Sequence, residues 1–195
     1  MRDINQEVRM SPFSRLARSA LWAALAVCPA LTHALPDIGS KPEGIAGFEY
    51  VDGRPFSLQA LRGNPVVLYF GGDWCGPCRN TRPFIKEIKE KYRDAGLKVI
   101  FFSFDDNKER AKKIEEAQAL GLDIAMAKPE FCPPGKCPMG PRRGSAAMEG
   151  FGAIYKFPTA VVLAPDGTVV DYIDRGNNIR RGLEEIVVKA MAAKP

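Results

Sequence analysis

PVVLYFGGDWCGPC, residues 65–78, joins an apolar run to two cysteines separated by two residues. Pro65 to Phe70 is continuous, uncharged and rich in β-branched and aromatic side chains, the pattern of a strand buried on both faces. Beyond Cys78, the apolar residues Phe84, Ile85, Ile88 and Tyr92 recur at helical spacing before Gly96, so the spacing predicts a helix that opens at the cysteines. The pair therefore stands on a strand-to-helix turn. There the first cysteine lies over helix N–H groups whose partial positive charge favours a thiolate, the attacking species in disulfide exchange. Cys75 is accordingly the candidate nucleophile, and Cys78, one turn on, the residue that resolves the mixed disulfide. Gly76 and Pro77 keep the turn compact, and proline in a first helical turn forfeits no hydrogen bond. Two other uses of the spacing stand beside this one: half of a zinc site completed by Cys132 and Cys137, and a purely structural disulfide.

The chain has 195 residues, 46% hydrophobic and 26% charged, the length and composition of one globular domain with a substantial core. Residues 1–34 read differently. Arg9, Arg15 and Arg18 precede an apolar run from Ala20 to Leu31, and small residues follow around Ala34. That is the layout of a secretory signal peptide, with an uncleaved anchor as the alternative, although the run is shorter than the roughly 18 residues a membrane span needs. Cys28 reads as filler within it. The expected division is thus a leader over 1–34 and one domain over 35–195, located in the periplasm and, with an uncleaved leader, tethered to the inner membrane. Without the leader 24 basic and 21 acidic side chains remain, a net charge of +3, and neither basic clustering nor interleaved aromatics mark a nucleic-acid surface. The one histidine, His33, belongs to the leader, so a domain over 35–195 has no histidine base or metal ligand. Outside the cytoplasm thiols tend to be oxidised, and the four remaining cysteines fall naturally into two close pairs.

Along the rest of the chain, Gly47 to Val51 and Asp52-Gly53 suggest a strand and turn, and Leu97 to Phe104 a second buried strand. Ala111, Ile114, Ala117 and Leu120 mark an amphipathic helix closed by Gly121, followed by a short strand at Ile124 to Met126. Residues 127–146 lose all periodicity and hold Cys132 and Cys137, a loop insertion. A helical stretch is expected over Met148 to Tyr155, then a strand at Thr159 to Leu163, a turn at Pro165-Asp166-Gly167, a strand at Val169 to Ile173 and a closing helix with Ile179, Leu183, Ile186, Val187 and Ala190 inward. Strands alternating with helices, then a hairpin and a helix, predict an α/β fold around a mixed sheet flanked by helices.

Trp74-Cys75-Gly76-Pro77-Cys78 after an apolar strand, with Phe157-Pro158-Thr159 before another, resembles the thioredoxin superfamily. The segment FEYVDGRPFSLQALRG (48–63), the extra helix and strand between Leu97 and Met126, and the leader resemble more narrowly the TlpA/ResA-like extracytoplasmic thiol–disulfide oxidoreductases. The resemblance covers nearly all of residues 47–192. It implies a thioredoxin-like fold with an added N-terminal hairpin, a central strand and helix insert and the cysteine-containing loop. It also implies a cis Pro158 packed opposite the cysteines, with the backbone of Phe157 pairing with a bound peptide and Trp74, Gly76, Pro77 and Thr159 beside it. No cofactor and no metal are implied. Oxidised cysteine-containing proteins would be the substrates, among them apocytochromes in cytochrome c biogenesis or copper-site proteins, and a DsbD- or CcdA-like membrane protein would supply electrons to a monomeric enzyme. The Gly-Pro dipeptide matches thioredoxin and lacks the histidine of strongly oxidising relatives, which points to a reductant. A disulfide oxidase or isomerase, and a thiol-based metal-binding or sensor module, are the alternatives.

One departure bears on mechanism. Thioredoxin carries a buried Asp six residues before its first cysteine, where this sequence has Tyr69. Asp105 or Asp106 aligns with an acidic residue that ResA-like proteins place near their cysteines, which makes Asp106 a candidate for proton transfer; a helix N-cap is the plain structural use of either. Cys132-Pro-Pro-Gly-Lys-Cys137 can close a small disulfide ring worth roughly 2 kcal/mol by loop entropy, a staple for an insertion, or can exchange with Cys75 as a relay, with Lys136, Arg142 and Arg143 available to an acidic partner.

Overall fold

The computed structural model describes residues 35–137 and 148–193. Residues 1–34, the expected leader with Cys28 and His33, lie outside the described residues, as do Arg142 and Arg143 of the insertion. The strands are β1 (Phe48–Tyr50), β2 (Val66–Gly71), β3 (Lys98–Ser103), β4 (Asp123–Ala127), β5 (Thr159–Leu163) and β6 (Val169–Asp174); the helices are α1 (Gly76–Lys91), α2 (Arg110–Leu120) and α3 (Gly176–Ala192). They form one six-stranded mixed sheet in the order β1-β4-β3-β2-β5-β6. β2, β3 and β4 run parallel, while β5 is antiparallel to β2 and to β6, and β1 antiparallel to β4.

Every residue of β2 is buried, as a central strand requires, and successive residues feed opposite faces of the sheet. Leu68 and Phe70 join Phe48, Ile100, Phe102 and Phe104 on one face. Val67 and Tyr69 join Val99, Phe101, Ile85, Ile179 and Leu183 on the other. The apolar stripes of α1, α2 and α3 pack on this second face, whereas the first is covered by irregular chain that contributes Ile45, Leu58, Cys132, Met148, Phe151 and Ile154. The α2 stop falls where Gly121 adopts a left-handed conformation, φ 60°.

Two sequence expectations change. Met148 to Tyr155 is a succession of turns rather than a helix: Met148, Phe151 and Ile154 are buried at a spacing that mimics a helical stripe, but Gly150 and Gly152 take φ values of 85° and 110°. The N-terminal hairpin is also reduced. Gly53 makes the turn at φ 86°, but the returning chain forms only a single bridge, Glu49 to Pro55, since proline has no N–H to continue a ladder. β1 pairs with β4 instead.

The mixed order gathers at one edge the chain segments that carry the cysteines and their surroundings. The parallel strands β2, β3 and β4 all end there, β6 ends there too, and β5 begins there, as the pairs Phe70 with Thr159 and Thr159 with Asp174 require.

Candidate active site

Leaving β2 at Gly71, the chain turns through Gly72, Asp73 and Trp74 and enters α1 with Cys75 as N-cap, its Sγ accepting the Cys78 backbone N–H at 3.2 Å. Cys75 and Cys78 are joined as a disulfide with Cα atoms 5.2 Å apart, within the usual range. Cys75 retains 7% of its surface and Cys78 none, so Cys75 is the sulfur a partner can approach. The same N–H groups that cap the helix stabilise a Cys75 thiolate once the bond is reduced. Beneath Cys78 the packing is tight: a Cβ on Gly71 would lie 3.1 Å from both Cβ and Sγ of Cys78. Tyr69, in the place of the thioredoxin aspartate, is fully buried and donates its hydroxyl to the Cys78 carbonyl at 3.1 Å. Burial pushes its phenol well above the ordinary 10, so it is a fixed donor and not a proton carrier near neutrality.

An aromatic wall borders the pair. Half-exposed Trp74 donates its indole N–H to the Phe104 carbonyl at 3.2 Å and meets the Phe157 ring edge-on at 5.2 Å, and Phe157 meets Phe104 at 5.0 Å. The Phe157–Pro158 peptide bond is cis, and the Pro158 carbonyl accepts the Arg175 N–H at 2.9 Å. Pro77 and Phe157 line a common cavity. Gly76 opens α1 beside Arg79. Thr159 is buried within the sheet, its hydroxyl bonded to the Lys156 carbonyl, so it shapes the loop and presents nothing to solvent.

Below the cysteine turn lies a charge cluster. Lys113 Nζ, wholly buried on α2, sits 2.8 Å from Asp73 Oδ1, 3.1 Å from Asp105 Oδ2 and 2.7 Å from Glu116 Oε2. Arg82 of α1 reaches Asp73 at 2.7 Å and Glu116 at 2.5 Å, with its guanidinium over the Phe101 ring, and Lys112 adds a 3.0 Å contact to Asp73 from the surface. Burial acts to raise the Asp73 carboxyl, but hydrogen bonds from Lys113, Lys112 and Arg82 outweigh it and hold the group well below the usual carboxylate range. Asp105 also accepts the Asp73 backbone N–H at 2.8 Å and the Ser103 hydroxyl at 2.7 Å. The turn carrying Trp74 and Cys75 is thus pinned to β3 by a carboxylate that is itself held by a buried ammonium.

The adjacent acid does something else. Asp106 caps the short helical turn Asn107–Glu109 through the Lys108 N–H and accepts the N–H groups of Gly135 and Cys137. Burial works to raise its carboxyl, and those three backbone donors hold it below the ordinary value. Its partners therefore lie on its own turn and on the inserted loop. Cys132 and Cys137 are disulfide-linked, Cα atoms 4.6 Å apart, and both are buried. The Asn107 amide donates to the Cys132 carbonyl at 2.6 Å and the Ala127 carbonyl at 2.8 Å. Cys132 Sγ lies 3.9 Å from the Asp105 carbonyl. Lys136 is exposed on this loop.

Asp73, Arg82, Lys113 and Glu116 did not figure among the residues the sequence singled out. The signal available was weak: Lys113 stands four residues before Ala117 and seven before Leu120 on α2, in line with an otherwise apolar stripe.

A family model described as AhpC/TSA matches residues 32–171. The chain is 26% identical over 139 residues to the thiol-disulfide oxidoreductase ResA of Bacillus thuringiensis subsp. konkukian (strain 97-27), covering 71% of this chain and 70% of that protein. A secreted thiol-disulfide isomerase from Corynebacterium glutamicum superposes with a TM-score of 0.59 at 18% identity, covering 87% of this chain and 97% of that one. The thioredoxin domain of a thiol-disulfide oxidoreductase from Bacteroides vulgatus gives 0.56 at 21%, covering 79% and 98%. At such identities the two structures speak to the fold, which is thioredoxin-like. The family model takes in the whole cysteine turn, the inserted loop and the cis-proline loop, and the chain belongs to the AhpC/TSA family of the thioredoxin superfamily.

Proposed function

We propose that this thiol–disulfide oxidoreductase works outside the cytoplasm as a reductant of protein disulfides, with Cys75 attacking and Cys78 resolving. The observation that carries the assignment is the difference between the two sulfurs: Cys75 caps α1 and keeps some surface, while Cys78 is sealed beneath Gly71. In the reduced protein the Cys75 thiolate attacks one sulfur of a substrate disulfide; that S–S bond breaks and the departing sulfur takes a proton. Cys78, losing its proton, then attacks Cys75 Sγ and expels the second substrate sulfur as a thiol. Two electrons pass to the substrate, and the protein is left as the Cys75–Cys78 disulfide. The cis Phe157–Pro158 loop and exposed Trp74 offer a bound chain a backbone edge and an aromatic face next to Cys75.

The Gly-Pro dipeptide and the absence of a neighbouring histidine favour reduction, and the leader over 1–34 favours export. A reductant there draws its electrons through a membrane donor of the DsbD or CcdA kind, with oxidised apocytochromes or copper-site proteins as substrates. No helix among the described residues is long and apolar enough to cross a membrane. The inserted Cys132–Cys137 pair serves as a staple, since Asp106 and Asn107 bind its loop on the buried side.

The test is a glutathione redox titration with the two pairs resolved by alkylation and mass spectrometry, alongside a Cys78→Ser variant. A Cys75/Cys78 potential near or below about −230 mV supports the reductant, and one above roughly −180 mV makes the protein an oxidase or isomerase. The variant should accumulate a mixed disulfide on Cys75; accumulation on another cysteine overturns the assignment of roles. Cys132–Cys137 titrating in the same window as Cys75–Cys78 replaces the staple by a relay.

A further inference from the structure

Beside the cysteines lies a cavity of about 470 Å³ whose walls carry a marked charge. One wall is Pro77, from between the two cysteines, with Phe157 before the cis proline; the other is the start of α3, with Arg175, Arg180 and Arg181. The two walls are in direct contact at Gly176, where a Cβ would stand 2.8 Å from Thr81 Oγ1 and 3.4 Å from the Pro77 carbonyl. A chain bound with its sulfur at Cys75 and its backbone along Phe157 therefore runs over these arginines.

Resting on the proposed reduction of protein disulfides, we infer that this groove selects substrates whose disulfide is flanked by acidic residues. Among the described residues no carboxylate lines the cavity. Arg180 donates to the Asn80 carbonyl and Arg181 to the Asn177 carbonyl at 3.2 Å, contacts that orient a guanidinium without neutralising it and engage a small part of its five donors. Asp174, the residue before Arg175, is met by Lys156 at 3.0 Å and by Arg175 itself at 3.9 Å. Arg79, held to the Asp73 carbonyl, adds a further cation on the Cys75 side.

The backbone gives an independent pointer. Arg175 is the one non-glycine residue with positive φ among those described, at φ 67° and ψ 133°, a conformation that glycine adopts far more readily. Such strain is held at functional positions when the surroundings fix it. Here the Arg175 N–H is bonded to the Pro158 carbonyl while its side chain remains three-quarters exposed, so the strained residue, at the turn from β6 into α3, projects a cation beside the loop that receives the substrate. Attraction across such a surface acts mainly on the encounter rate and fades within about 8 Å at physiological salt, so it discriminates residues near the disulfide and not the substrate's overall charge.

The test uses the full chain, reduced at Cys75 and Cys78, and two cyclic disulfide peptides identical except for Glu or Lys on both sides of each cysteine. Each second-order rate is divided by that of the same peptide with dithiothreitol, which removes intrinsic differences between the disulfides. The Glu to Lys ratio should be roughly tenfold at 50 mM salt, in keeping with steering by a few exposed charges, and should fall to within about twofold at 1 M. Arg180→Glu with Arg181→Glu should level or invert it. A normalised ratio within twofold at low salt, or one unchanged by salt and by charge reversal, overturns the inference alone. Failure to reduce even neutral hydroxyethyl disulfide overturns the redox reading, and this inference with it.

Discussion

Replacing Lys113 by methionine tests whether the buried cluster holds the cysteine turn by charge. The substitution keeps an unbranched side chain of similar length but withdraws an ammonium that is wholly buried and within 3.1 Å of three carboxylates. Two of them retain a cation, since Asp73 keeps Arg82 and Lys112 and Glu116 keeps Arg82. Asp105 retains the Ser103 hydroxyl and the Asp73 N–H but loses the cation seen beside it. Removing one member of a buried ionic group costs about 3–5 kcal/mol, and the surviving partners place Lys113→Met near the low end, at about 3 kcal/mol. With a urea slope of about 2 kcal/mol/M, that moves the unfolding midpoint down by roughly 1.5 M. The pH dependence has a definite sign. The Asp73 carboxyl is depressed in the folded protein, so its contribution is complete above the ordinary value of about 3.8 and is lost as pH falls below it. The deficit of Lys113→Met should therefore be constant from pH 7 to pH 4 and narrow below that. Asp105→Asn added to Lys113→Met should recover part of the loss, and the double-mutant cycle isolates the coupling. A deficit under about 1 kcal/mol, the scale of an exposed ion pair, or one that fails to narrow in acid, would refute the electrostatic account of this turn.

Gly71→Ala should destabilise the fold by about 1–3 kcal/mol, the usual range for overpacking, because the new methyl meets Cys78 Cβ and Sγ at 3.1 Å between two buried strands; an unchanged urea midpoint would show that Cys78 can yield. Asp106→Ala should make the Cys132–Cys137 disulfide reducible several-fold faster by a phosphine, which remains active in acid, because the Gly135 and Cys137 N–H groups lose their acceptor. The same reduction should accelerate in the wild-type protein as pH falls below about 3.8, where a carboxylate with depressed pKa releases its hold; a rate flat down to pH 3 in both proteins would remove Asp106 from that role.

The central strands were legible because β2 and the Val99–Phe102 stretch of β3 are buried on both faces, so they form continuous apolar runs and no period is needed to recognise them. Helix α1 was legible for a different reason: the cysteine turn and the apolar spacing of Ile85 and Ile88 agree on one element. The turns at 148–155 misled because burial of every third residue is also what a helix produces, and only the positive φ of Gly150 and Gly152 separates the two. The charge cluster was hidden more deeply. Its members come from the β2–α1 turn, from α1, from the end of β3 and from α2, and they meet only after the sheet has formed. Lysine is also among the residues least expected to be wholly buried, so nothing in the sequence singled out Lys113. The cis Pro158 and its placement came from likeness to a family, for nothing in Phe157-Pro158-Thr159 alone distinguishes it from an ordinary trans proline.

Sheet topology explains why so much chemistry gathers in one place. Because β2, β3 and β4 are parallel, the chain leaves all three at the same edge: from β2 it turns to Cys75, from β3 to Asp105 and Asp106, and from β4 to the loop of Cys132. Antiparallel pairing then brings the start of β5, with Pro158, and the end of β6, with Arg175, to that edge as well. The four residues Phe104 to Asn107 stand in the middle. Phe104 supports Trp74 and Phe157, the Asp105 side chain holds Asp73 and Lys113, Asp106 caps the inserted loop, and Asn107 fastens Cys132 and Ala127. The placement of the second cysteine pair at the same edge as the first thus follows from where β4 ends. The loop closed by Cys132–Cys137 donates to Asp106, and the neighbouring Asp105 accepts the Asp73 N–H from the turn that carries Cys75, so one short segment touches both cysteine pairs' surroundings.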